Sequence, residues 1–166
     1  MFTTGQIFQA EELLNLCRNL NLHVATAESC TGGLIAACLT AVPGSSDVFD
    51  RGFVAYDNAA KTELLGVPEA SIATFGAVSK TVACAMAEGA LANSAAQTAV
   101  ATTGIAGPDG ATPAKPVGLV HIAVVSIGSK SIHSEKLIKG SRFVVRLKAM
   151  EEALSLLSVH LSESHL

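Results

Sequence analysis

Apolar residues recur along this chain at two different spacings, and the two alternate. From Ile7 to Leu20 the apolar positions Leu13, Leu16, Cys17 and Leu20 fall at the three- and four-residue intervals of a helix. "HVATAE", from His23, is instead a short unbroken run of the kind a buried strand makes. "TGGLIAACLTAVPG" resumes helical composition and stops at Pro43 and Gly44, and "FDRGFVAY", Phe49 to Tyr56, predicts a second strand. A short helix follows in "NAAKTELLGVP", where Asn58 suits the N-cap, Gly66 the left-handed residue that ends a helix, and Pro68 prevents continuation. A longer Ala-rich helix is predicted from about Val78 to Ala92. "AQTAVATTG" is then a strand that runs into the glycine-rich loop "TTGIAGPDGATPAKP". "GLVHIAVVSIG" and "SIHSEKLIKG" are strands joined at Gly128 to Lys130, which predicts a hairpin and hence a mixed sheet. A last helix from about Arg142 to Leu161 closes the chain. The alternation predicts an α/β fold, and at 166 residues without repeat or low-complexity linker it predicts one domain over 1–166.

Composition narrows the function classes. The chain is 49% hydrophobic and only 15% charged, with mean hydropathy +0.45, which points to apolar surface covered by another subunit. No window has the roughly 18 uninterrupted apolar residues of a membrane span. The start, "MFTTGQIFQAEELLNL", lacks the basic-then-apolar order of a signal peptide, so the expected location is cytoplasmic, with no membrane partner. Net charge is −3, without a block of Lys and Arg, so a nucleic-acid partner is not expected, while a small anionic ligand remains compatible. Cys17, Cys30, Cys38 and Cys84 form no CxxC pair and have no His at zinc spacing beside them, so neither a metal site nor a disulfide framework is expected. Cys17, Cys38 and Cys84 read as buried small hydrophobes.

Candidate chemistry gathers where strands run into small or polar residues, because open α/β sheets bind ligands at the carboxyl ends of their strands. Three segments end that way: "TAESCTGG", "VAYDNAAK" and "ATTGIAGP". In the first, Ser29 and Cys30 precede a helix whose first turn is expected to contain Gly32 and Gly33, leaving backbone N–H groups open to an anion or an oxyanion. Ser29 or Thr31 would serve equally as a plain N-cap. No histidine is placed to be a base for Ser29: His23 is at a strand start, His121 and His133 are on the hairpin, and His160 and His165 fall in the C-terminal helix or tail. Lys61, in the first turn of its helix, is disfavoured as a cation by the macrodipole and would act as a base if desolvated in a cleft; a solvated surface lysine is the alternative. Tyr56, the single tyrosine, either bridges serine and lysine or packs. The third segment, with Thr102, Thr103 and Gly104, is neither GxGxxG nor a Walker loop; it would hold polar groups of a ligand, supply an oxyanion donor, or form a rigid turn.

Taken in order, "AESCTGG", "YDNAAKTELLGV", "GAVSKTVACAMAEGAL", "TTGIAGPDG", "KPVGLVHIAV" and "GSRFVVRLKAMEEAL" resemble the CinA C-terminal domain family, from about residue 7 to about 160. The resemblance implies a three-layer α/β/α domain with a mixed sheet, a homodimer, and hydrolysis of the carboxamide of nicotinamide mononucleotide to nicotinate mononucleotide and ammonia, without a cofactor. It implies Ser29 as nucleophile, Lys61 as general base and Tyr56 as the hydroxyl beside them. Cys30, Thr31, Gly32, Gly33, Thr103 and Gly104 would contact substrate, with Arg142 at its phosphate or at a subunit contact. The metal-dependent pyrophosphatase activity associated with a larger N-terminal domain of some relatives does not transfer.

Cys30 competes with Ser29, since thiols need less activation and a helix N-terminus lowers their pKa, but successive residues point in different directions and only one faces the cleft. Glu28 is left between orienting Lys61 and holding a backbone turn. A nucleotide-binding module without catalysis and an amidase for another small carboxamide are the alternative functions.

Overall fold

Thr3 and Gln6 bond reciprocally across the first turn of α1 (Thr4–Leu20), so this helix begins ahead of its apolar periodicity, and Asn21 ends it in the left-handed conformation. The computed structural model describes residues 1–164; His165, read above as part of the C-terminal helix or tail, lies outside them. After α1 come β1 (Val24–Glu28), α2 (Leu34–Thr40), a single 3₁₀ turn (Ser45–Asp47), β2 (Phe49–Val54) and α3 (Asn58–Leu65). Next are α4 (Glu69–Phe75), α5 (Lys80–Ala92) and β3 (Thr98–Gly104), then β4 (Leu119–Ser126), β5 (Ile132–Leu137) and α6 (Arg142–Ser164).

Two local expectations are corrected. α4 was not foreseen: Pro68, read as a stop, is also the N-cap of a new helix, and none of that helix's residues is buried, so no apolar periodicity marked it. α3 is capped by Asp57 rather than Asn58, the Asp57 carboxylate accepting from the Ala59 N–H at 2.9 Å.

The five strands stand in the order β2-β1-β3-β4-β5. β1 pairs parallel with both β2 and β3, while β3, β4 and β5 run antiparallel to one another, so the sheet is mixed and the hairpin is β4-β5. Helices cover both faces. On one, Val100, Val120, Ile122 and Val124 of the sheet meet Leu13, Leu14, Ile35, Met150 and Leu154 of α1, α2 and α6. On the other, Ala25, Ala27, Ala99, Ala101 and Ala123 meet Ala83, Ala87 and Ala90 of α5, with Met86 and Val82 filling the space between. The alanine face brings α5 close: at Gly89 any Cβ would run into the Leu65 carbonyl at the end of α3. Cys17 and Cys38 lie within the first core, whereas Cys84 is only half-buried beside the second.

The chain leaves β1 for β2 on one side and returns through α3, α4 and α5 to β3 on the other. Their parallel carboxyl ends therefore face one edge at a topological switch point, where such sheets bind ligands.

Candidate active site

The turn after β1 is built around two groups. Glu28, fully buried, accepts from the N–H groups of Gly33 at 3.0 Å, Ile35 at 3.0 Å and Ala36 at 2.9 Å, so its carboxylate caps α2. This corrects two expectations. Helix α2 starts only at Leu34, because Gly32 and Gly33 hold positive φ of 60° and 92° in the preceding turn. The N–H groups of Gly33, Ile35 and Ala36 are already satisfied by Glu28, so these three do not lie open to an oxyanion. The second group is Arg146, which donates to the Cys30 carbonyl at 3.2 Å and the Thr31 carbonyl at 2.8 Å, pinning the turn from α6. Sequence reasoning missed Arg146; the signal was its place one helical turn after Arg142.

Within this turn the three small polar residues have different fates. Thr31 is buried and shares a 2.7 Å hydrogen bond with Thr102 Oγ1, a structural tie between the ends of β1 and β3. The Cys30 thiol is pushed up to about 12, mainly by burial, although the N–H groups of Cys30 and Thr31 and the Arg146 guanidinium all act to lower it. A thiol held neutral in this way is a poor nucleophile. Ser29 is anchored by its N–H to the Thr102 carbonyl at 2.9 Å, and its hydroxyl has no protein hydrogen-bond partner among the described residues.

Lys61 is not a surface lysine. It is 1% exposed, and its Nζ donates to the backbone carbonyls of Ala55 at 3.1 Å, Tyr56 at 3.1 Å and Asp57 at 3.4 Å, with no carboxylate in ion-pair reach among the described residues. Burial holds its pKa below the ordinary lysine value of 10.5, against the opposing pull of Asp57 and Cys30. Of the two causes read from sequence, the helix dipole and desolvation, desolvation is the main one.

Ser29, Cys30, Tyr56, Lys61, Thr103, Gly104 and Arg142 all line one cavity of about 230 Å³, so the three strand ends do meet. Asn58, Ala77, Val78 and Ala106 complete it and were not named from sequence as site residues. Thr31, Gly32 and Gly33 do not line it. Thr103 Oγ1 donates to the Ala77 carbonyl at 2.9 Å and holds that wall. Arg142 donates to the Gly107 carbonyl at 2.8 Å and to the Tyr56 hydroxyl at 2.7 Å, bridging the mouth; its charge meets no carboxylate among the described residues. Tyr56 Oη is thus Arg142's partner, and Lys61 reaches only the Tyr56 backbone.

The cavity also has a backbone donor. Along β3 the Thr98 N–H bonds toward β1, at His23 O, and the Ile105 N–H bonds toward β4, at Leu119 O, so N–H groups of even-numbered residues face β1. The Gly104 N–H therefore points past the last β1 pairing, toward Ser29, and has no protein acceptor among the described residues. An N–H left unclaimed at a cavity wall is the kind of group that serves as an oxyanion donor.

Comparison with known proteins decides the family. The sequence model of the CinA C-terminal domain matches residues 7–161. The chain belongs to the CinA C-terminal domain family. A putative competence-damage inducible protein of Caldicellulosiruptor saccharolyticus is 49% identical over 148 residues, covering 89% of this chain and 36% of the relative. A CinA-like protein of an Anaeromyxobacter species is 52% identical over 140 residues, covering 84% and 34%. The chain thus spans about a third of the length of these curated relatives. Among solved structures, a competence/damage inducible protein of Agrobacterium tumefaciens matches with TM-score 0.93 and 46% identity over 98% of both chains. One from Klebsiella pneumoniae gives TM-score 0.91 and 32% identity over 95% of this chain and 97% of that one. The family's three-layer architecture, with its mixed sheet, is the one described above.

Proposed function

We propose that this protein hydrolyses the carboxamide of nicotinamide mononucleotide, with Ser29 as nucleophile and Lys61 as general base. The observation that carries this reading is the pairing, at one small cavity, of an unclaimed serine hydroxyl with a buried lysine held only by carbonyls. Ser29 Oγ attacks the amide carbon and its proton passes to neutral Lys61 Nζ, while the oxyanion that forms is met by the Gly104 N–H. The C–N bond then breaks, Lys61 returns the proton to the leaving nitrogen, and ammonia departs. Water, deprotonated by Lys61, attacks the serine ester, releasing the carboxylate and regenerating Ser29. Ser29 and Lys61 share no hydrogen bond, a separation common in sites that tighten only around substrate. The scheme calls for no cofactor. Arg142, a cation without a carboxylate partner at the cavity, supports recognition of the substrate's phosphate.

The homodimer belongs to the same proposal: Tyr56, Phe143 and Val144 are exposed at the Arg142 end of the cavity, apolar surface of the kind a second copy covers. Sedimentation should give twice the chain mass, and a monomer at micromolar concentration would contradict it.

Ammonia release from nicotinamide mononucleotide and from its dephosphorylated riboside tests the substrate. Turnover of the nucleotide well above that of the riboside is expected. Equal turnover would favour an amidase for other small carboxamides, and binding without turnover would favour a nucleotide-binding module.

A further inference from the structure

A second cavity, of about 460 Å³, lies against the first on the α5 side of the sheet, and cationic side chains from separate elements converge on it. Lys80 comes from the first turn of α5, Lys115 from the loop between β3 and β4, and His121 from β4. His133 of β5 stands beside His121, with 2.9 Å between His121 Nδ1 and His133 Nε2. Val78 lines both cavities, and Thr103, on the wall of the first, is the direct cross-strand partner of His121. The carboxylate facing this group is Glu135, whose Oε2 lies 3.8 Å from His121 Nδ1 and is largely exposed.

Several polar groups here are unspent. His121 is 5% exposed, and with Nδ1 engaged by His133 its Nε2 has no protein partner among the described residues. Ser79 caps α5 through the Val82 N–H, which leaves the N–H groups of Lys80 and Thr81 without acceptors at a helix N-terminus, where anions are favoured. Lys115 Nζ spends one hydrogen on the Phe75 carbonyl at 2.6 Å. The basic groups also oppose one another: burial is the largest cause disfavouring protonation of both histidines, Glu135 favours it, Lys115 disfavours it at His121, and His121 and Lys80 disfavour it at His133. An anion in the cavity would relieve this repulsion. His121, His133 and Glu135 do not converge as a metal-ligand set among the described residues. Phe75, Val78, Leu119 and Leu137 give the remaining wall an apolar surface suited to a ring.

We infer that this cavity is a second binding site, separate from the reaction cavity, for a small phosphorylated molecule: its phosphate bound by Lys80, Lys115, His121 and the start of α5, and its ring against the apolar wall. The inference does not depend on the amidase reading. Imidazole NMR signals of His121 and His133 are followed as inorganic phosphate is titrated at constant ionic strength. Saturable shifts are expected in the parent and in Arg142→Ala, with affinity lowered about tenfold or more in Lys80→Glu, roughly the worth of 1.4 kcal/mol. Lys80 is exposed in a first helical turn, where an acid is favoured, so this variant is expected to fold; Lys80→Gln repeats the test without reversing the charge. A nucleoside monophosphate should bind more tightly than phosphate. Sulfate, whose charge stays constant across this range, should bind more tightly as pH falls below 6.5, where the histidine pair takes up a proton beside Lys80, Lys115 and Glu135. Absence of saturable shifts, shifts unchanged by Lys80→Glu, or shifts lost in Arg142→Ala would overturn the inference, the last by placing the anion in the reaction cavity. A nucleoside monophosphate no tighter than phosphate would overturn the ring's part in it.

Discussion

Glu28, at the end of β1, and Lys61, just after β2, are both buried ionisable groups with three backbone partners each, yet they are built for opposite ends. Glu28 receives three N–H groups at the start of a helix, donors that match a carboxylate and that already carry the dipole's positive end. It is shut off from solvent and its role is to fix the turn that carries Ser29. Lys61 receives three carbonyls, one of them at 3.4 Å, and borders a cavity. Two N–H bonds from a neutral amine satisfy the two closer carbonyls and leave a lone pair. The comparison teaches that burial with full backbone partnership makes a charge structural when the group is enclosed, and reactive when one side stays open to a ligand.

The largest expected effect comes from removing the open group. Lys61→Met should lower the amidase rate by about 10³-fold, within the range for loss of a general base. In the parent the rate should fall as pH falls through the depressed lysine pKa, since only the neutral amine accepts the serine proton; the Met variant's residual rate should lack that limb. Stability gives an independent check. Because the folded pKa lies below 10.5, the unfolded chain binds more protons between the two values, and stability should rise with pH across that window in the parent but not in Lys61→Met. Denaturant titrations at several pH values would measure it.

Breaking the enclosed group should instead cost stability. Glu28→Ala leaves three N–H groups without their acceptor and should destabilise the fold by about 2–4 kcal/mol in urea unfolding, with Glu28→Gln milder because its amide oxygen still accepts. An effect on the rate with full stability would contradict the structural role. Arg142→Ala is expected to raise KM for the nucleotide by about tenfold, the worth of one charge-assisted contact, with little change for the riboside. Smallest of all, Cys30→Ala should leave the rate within about threefold, since a thiol pushed up to about 12 contributes no thiolate near neutral pH.

The strand ends were legible in the sequence because small and polar residues interrupt apolar runs there, and that placed Ser29, Tyr56, Lys61, Thr103 and Gly104 near one another before any coordinates. Burial of Lys61 was not legible. Its neighbours Asn58, Thr62 and Glu63 read as a solvated helix, and its shielding depends on how α3 packs on α5 and on the segment after β2 whose carbonyls it meets. Glu28 was ambiguous because its partners lie five to eight residues ahead, reached only by folding back through two positive-φ glycines. Arg146 was missed for a different reason: beyond its place one turn after Arg142 nothing local marks it, because its contacts with the Ser29 turn span more than a hundred residues. Helix α4 escaped because it buries no residue fully, so nothing imposed a helical period on it.

The central claim is tested most directly by following ammonia release from nicotinamide mononucleotide with the parent protein, Ser29→Ala and Cys30→Ala side by side. The account predicts release by the parent and by Cys30→Ala, and loss of about 10³-fold or more in Ser29→Ala while that variant stays folded. Activity kept by Ser29→Ala and lost by Cys30→Ala would contradict it.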